Sequence, residues 1–172
     1  MQHSRTVIEM NLDKKEIKPI TDILGYAVLD SQKLEYSIAF MMLMLNNEIN
    51  LSSQEFNDKI DDYMLNLSKK TLGALIIKLS EIAEISAGFK ERLEIALEAR
   101  NYIIHRFLND QAENLLTING RKKALEILKN KREILYDCYF FLDSFIQKLM
   151  EIKGFDFQNL IANVSEKYEP ER

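Results

Sequence analysis

Between Arg121 and Lys153 the chain carries neither glycine nor proline, and its apolar residues recur every three or four positions. That period marks one face of an α-helix, and a strand pattern could not sustain it over such a length. The same habit runs through the rest of the chain. Its 172 residues include five glycines and two prolines, too few for the turns that a sandwich or barrel needs. The expected fold class is therefore all-α, an up-and-down bundle of five or six helices forming one domain over 1–172. With 47% hydrophobic residues, such a domain can build a core without covalent staples.

Along the chain, residues 1–16 are mixed and polar and are expected to form a loose arm or a short first helix. A helical pattern runs from about Pro19 to Leu45. Pro19 suits its first turn, and Thr21 or Asp22 could cap it. Ser52 to Glu55 has capping-box spacing and opens a helix to about Leu65. Ser68 to Ile85 predicts another helix, Ala87-Gly88 a turn, and Phe89 to Leu108 a central helix. Residues 109–118 are expected to connect, Asn119-Gly120 to turn, and Arg121 to Lys153 to form the long helix that Gly154 ends. Phe155 to Tyr168 predicts a short final helix, with 169–172 a frayed tail.

Several function classes drop out. The single cysteine, Cys138, permits no intrachain disulfide and sits in an apolar setting typical of an inert core thiol. Met1-Gln2-His3-Ser4-Arg5 lacks the apolar core of a signal peptide. The longest wholly apolar run, Ile38 to Leu45, falls short of the ~20 residues a membrane span needs. A cytoplasmic location with no membrane partner is the expectation. The Met41-Met42-Leu43-Met44 run is expected in the core. A net charge of −4 limits nucleic-acid binding to a local basic patch. No glycine-rich phosphate loop and no metal-ligand spacing is present, so neither a metal nor a cofactor is expected.

The central helix carries an anomaly. With Arg100 at zero on a helical wheel, Phe89, Phe107 and Leu93 fall within about 20°, Ala96 and Ile104 at about 40°, and Leu97 and Ile103 at about 60°. The helical neighbours of Arg100 are apolar, so a guanidinium stands at the centre of the core-facing stripe. Removing such a charge from water costs several kcal/mol unless it meets an acid, a cleft or an anion. His105 lies about 140° round, at the edge of the polar face, with Asn101, Glu94 and Glu98 beside it. Arg100 could equally form a buried ion pair with Glu35 or Asp143, each set in an apolar stripe of another helix.

The string Arg100-Asn101-Tyr102-Ile103-Ile104-His105 resembles the signature of the HEPN superfamily: an arginine, four to six residues, then a histidine, on a late helix of an all-α domain. Asn101 matches the polar residue that often follows the arginine. Glu98 to Leu108 as a whole, and the earlier Lys70-Thr71-Leu72-Gly73-Ala74-Leu75-Ile76, also look similar to bacterial members. The likeness in helix order covers most of 19–150, and the sharp motif match about 70–108. What the resemblance implies is a homodimer whose motif helices meet at a cleft. Many such domains are metal-independent endoribonucleases of toxin–antitoxin, stress or defence systems, which implies an antitoxin or regulatory protein as partner. Others are non-catalytic modules that bind RNA, a nucleotide or a protein. On this chain the resemblance makes Arg100 and His105 the catalytic pair, with Asn101 and Glu98 in support. One departure stands out: some HEPN toxins carry a modifiable tyrosine two residues after the histidine, and Phe107 occupies that place here.

The residues suit that chemistry. Cleavage by 2′-hydroxyl attack needs a base, an acid and a cation at the phosphate. The chain holds two histidines, His3 and His105, and His3 falls in the expected arm, so a second copy of His105 would come from a dimer. Arg106, Lys122 and Lys123 are candidate contacts to the RNA backbone. The wider run Arg121, Lys122, Lys123, Lys129, Lys131 and Arg132 is interleaved with apolar residues and also fits the solvated face of a long helix.

Overall fold

The structure, a computed structural model, describes residues 14–46 and 56–154. Every regular element among them is helical: α1 (Lys14–Leu45), α2 (Phe56–Ser68), α3 (Leu72–Ile82), α4 (Ala87–Asn101), a π-helical turn (Tyr102–Arg106), α5 (Phe107–Asp110), α6 (Ala112–Leu115) and α7 (Ile118–Ile152). The all-α class stands. The long helices α1 and α7 pack along one another as the spine of the bundle, with α3 and α2 against α1 and α4 against α7. At about 1.5 Å per residue the two spine helices are far longer than the others. No described helix is long and apolar enough to cross a membrane.

Periodicity explains the packing. On α1 the buried residues Ala27, Leu34, Ile38, Met41 and Met42 fall three, four or seven apart, and on α7 Leu128, Leu135, Leu142 and Ile146 do the same. The Met41 to Met44 run lies in the core, as its composition predicts. So does Cys138, whose thiol is pushed up to about 11 by burial, against a smaller opposing pull from Arg92.

Helix ends follow capping chemistry more closely than composition. Thr71, Ser86 and Thr117 each accept a hydrogen bond from the backbone N–H three residues on, and so start α3, α4 and α7. The observed helix bounds correct four expectations, three of them through these caps. The stretch Ser68 to Ile85 is the end of one helix and the whole of another, because Ser68 closes α2 and Thr71 opens α3. Ala87-Gly88 is the first turn of α4. Asn119-Gly120 lies inside the first turn of α7, where a Cβ on Gly120 would come 2.2 Å from the Asn114 carbonyl oxygen, so glycine serves close approach there rather than a bend. Finally, α1 already runs from Lys14, so Lys14 to Glu16 belong to a helix and Pro19 sits within it. Thr21 and Asp22 therefore do not cap. The Thr21 hydroxyl donates to the Lys18 carbonyl, and Asp22 pairs with Lys18.

Gly154 follows α7 with φ of +77°, the left-handed conformation that ends helices. The capping box Ser52 to Glu55, the final helix Phe155 to Tyr168, the tail 169–172 and His3 lie outside the described residues.

Candidate functional site

The apolar stripe of α4 is real. Phe89, Leu93, Ala96 and Ala99 are buried, and Ile103 and Phe107 continue the buried face through the π turn. Arg100 lies beside this row with its side chain 19% exposed. Its acid is Glu35 of α1, with Nη2 and Oε1 3.5 Å apart. Asp143, the other candidate, sits on α7 and accepts a hydrogen bond from Gln147 instead.

The π turn changes what Arg100 meets. The Phe107 N–H reaches back five residues to the Tyr102 carbonyl, which fits one extra residue into the turn. His105 sits inside this widened turn, five positions after Arg100. His105 is exposed, as expected of the polar edge, and its ring nevertheless meets Arg100. Arg100 Nη1 lies 3.2 Å from His105 Nε2 and also donates to Asn101 Oδ1 at 3.4 Å. Ile104, expected on the apolar stripe, is turned outward and 41% exposed. Turns of this kind are frequent at functional sites.

A guanidinium can only donate. Its contact with Nε2 therefore fits a neutral imidazole with the proton on Nδ1, the form of histidine that can accept a proton at Nε2. The carboxylates expected beside His105 are engaged elsewhere: Glu94 with Lys90 and Glu98 with Arg106, each pair 3.9 Å apart and exposed. Glu98 thus supports Arg106 rather than His105.

Tyr102 fixes the turn from its other side. Its hydroxyl accepts a hydrogen bond from Gln111 Nε2 at 2.8 Å, and Gln111 Oε1 accepts from Asn114 at 2.9 Å. The ring meets Phe107 edge-on and carries Arg106 and Lys131 within cation–π distance. Sequence reasoning missed this anchor. Gln111 is buried, yet a glutamine in a short connector gives no periodic signal.

The basic run of α7 divides. Arg121 is buried and Arg132 half-buried, so they do not belong to a solvated face. Arg121 donates to the Leu115 carbonyl and pairs with Glu16, while Arg132 pairs with buried Asp30. Lys122 and Lys123 are exposed. They lie about 12–14 Å along the helix axis from Lys131, and no contact joins them to Arg100 or His105.

A cleft of about 480 Å³ opens between α1, α2 and α3 beside the ion pair, lined among others by Gln32, Glu35, Tyr36, Met64, Lys70 and Leu75. Within the ion pair, Glu35 Oε1 and Arg100 Nε are buried without a hydrogen-bond partner among the described residues. Unmet buried polar atoms are costly and call for an explanation. Around one guanidinium the site thus gathers a carboxylate, an imidazole and an amide, and its hydrogen-bonding capacity is only partly used. Such a group can hold an anion while the imidazole moves a proton. Among the described residues, no cluster of three or more histidine, cysteine or acidic side chains could hold a metal ion. Comparison with protein-family models, with curated proteins and with solved structures finds no match to this chain.

Proposed function

We propose that the protein is a HEPN-type, metal-independent endoribonuclease with a toxin, stress or defence role, and that it works as a homodimer. The observation that carries this reading is the 3.2 Å contact between Arg100 Nη1 and His105 Nε2, made across a π turn by two residues that a regular helix would hold apart. In this mechanism Arg100 turns its N–H groups on a non-bridging oxygen of the scissile phosphate. His105 Nε2 removes the proton of the 2′-hydroxyl as that oxygen bonds to phosphorus. The bond from phosphorus to the 5′-oxygen breaks, and the leaving oxygen takes its proton from His105 of the partner subunit. The products are a 2′,3′-cyclic phosphate and a 5′-hydroxyl. Asn101 steadies the guanidinium.

The test is incubation of the purified protein with several RNAs in EDTA. Wild type should cleave and His105→Ala should not; identical RNA patterns from the two would end the nuclease reading. A second reading, a non-catalytic module binding RNA, a nucleotide or a protein, is favoured by one observation. Glu35 already stands 3.5 Å from Arg100, as in an internal ion pair. Phosphate and Glu35 would then compete for the same cation.

A further inference from the structure

We propose that the cleft beside Glu35 is a guanine subsite, taking the base next to the phosphate that Arg100 holds; this rests on the reading of Arg100 and His105 as the cleavage pair. The cleft, at about 480 Å³, is of the size that takes small ligands. Its walls divide by chemistry. Tyr36 is 62% exposed and offers a ring face on which a base can stack. Met64 and Leu75 form apolar walls. Glu35 lines the cleft, is 25% exposed and supplies acceptors only; its Oε1 is buried facing Arg100 Nη2 at 3.5 Å, with no hydrogen bond to it.

A carboxylate selects the base edge that presents two neighbouring donors. Guanine does so with N1–H and the N2 amino group, whereas adenine, cytosine and uracil each present one donor beside an acceptor. Gln32 can both donate and accept, which suits the guanine carbonyl. Lys70 lines the same cleft and supplies a cation for a neighbouring phosphate. Glu35 links the subsite to the chemistry. The carboxylate that reads the base is the one that faces Arg100, and Arg100 in turn touches His105. Engaging the base draws Glu35 away from the guanidinium and frees Arg100 for the phosphate.

The experiment titrates intact protein with the four nucleoside 5′-monophosphates, read by calorimetry, and in parallel cleaves RNA oligonucleotides that carry a single guanosine at varied positions. Guanosine monophosphate should bind about tenfold more tightly than the other three, the lower end of the discrimination a bidentate contact to a base edge gives. Glu35→Gln should erase that preference. Tyr36→Ala, at an exposed position that does not threaten the fold, should weaken all four by about tenfold without changing their order. Equal affinities for the four nucleotides, or binding untouched by Tyr36→Ala, would overturn the subsite. The arms separate the failures. Cleavage that needs His105 but ignores guanosine leaves the nuclease and removes the subsite. Selective guanosine monophosphate binding without any cleavage keeps the subsite, as a free-nucleotide site, and removes the nuclease.

Discussion

Arg121 and Arg100 are both arginines taken largely out of water, and they are treated in opposite ways. Arg121 has close partners at both terminal nitrogens: one donates to the Leu115 carbonyl at 2.9 Å, and the other pairs with Glu16. It ties the start of α7 to the connector and to α1. Arg100 has a carboxylate at 3.5 Å, two long contacts through one nitrogen, and an Nε with no hydrogen-bond partner among the described residues. The first arrangement spends the guanidinium on the fold. The second keeps hydrogen-bonding capacity in reserve beside a histidine and a cleft. The same residue type at similar burial therefore separates a structural role from the proposed functional one by the completeness of its partners.

That contrast can be broken by substitution. Arg121→Ala leaves the buried Leu115 carbonyl without its donor, while Glu16, 45% exposed, can turn to water; the change should cost about 2 kcal/mol of stability in urea unfolding, while the folded fraction keeps its specific activity. Arg100→Met should do the reverse. Glu35 is 25% exposed and can turn its carboxylate into the cleft, so the loss of stability should be only about 1 kcal/mol, while cleavage falls about a hundredfold. If Arg100→Met destabilised the protein as much as Arg121→Ala, the contrast would collapse.

Away from both arginines, the buried Cys138 thiol predicts a pH effect. Its value rises from the ordinary 9.0 to about 11, so between those limits the unfolded chain loses a proton that the folded chain keeps. Stability should be intact below pH 9 and fall by on the order of 2 kcal/mol as pH rises to 11. Denaturant titrations at pH 8 and pH 10.5 read this, and Cys138→Ala should abolish its share of the slope. The smallest effect is expected at Glu98. Its pair with Arg106 is solvent-exposed, so Glu98→Gln should change stability by less than about 0.5 kcal/mol and cleavage by less than twofold.

Much of this was legible before any coordinates. Breaker scarcity and apolar period set the all-α class, the wheel found Arg100 out of place, and the apolar stripes of other helices offered Glu35 and Asp143 as candidate acids. Two kinds of information escaped. Glycine and Asn-Gly pairs suggested turns at Gly88 and Gly120, whereas hydroxyl caps on Ser86 and Thr117 placed both glycines inside helices. The wheel also assumes one rotation per residue. It could not anticipate a π turn, and so did not show that His105, on its exposed edge, would touch Arg100. That turn is held in part by the Tyr102–Gln111 hydrogen bond, a contact between an apolar-looking helix and a polar connector that no periodicity announces. The cleft was equally hidden, since α1, α2 and α3 build it jointly.

The central claim is that Arg100 and His105 act as one unit on RNA. A double-mutant cycle on cleavage in EDTA, with product ends mapped, tests it most directly. His105→Ala alone should slow cleavage by about a thousandfold. The Arg100→Met, His105→Ala double variant should be little slower than His105→Ala, because residues that work together do not add. Cyclic-phosphate ends in the wild-type products and this non-additivity are the predicted result. Rates that multiply independently, or RNA left equally intact by all four proteins, would contradict it.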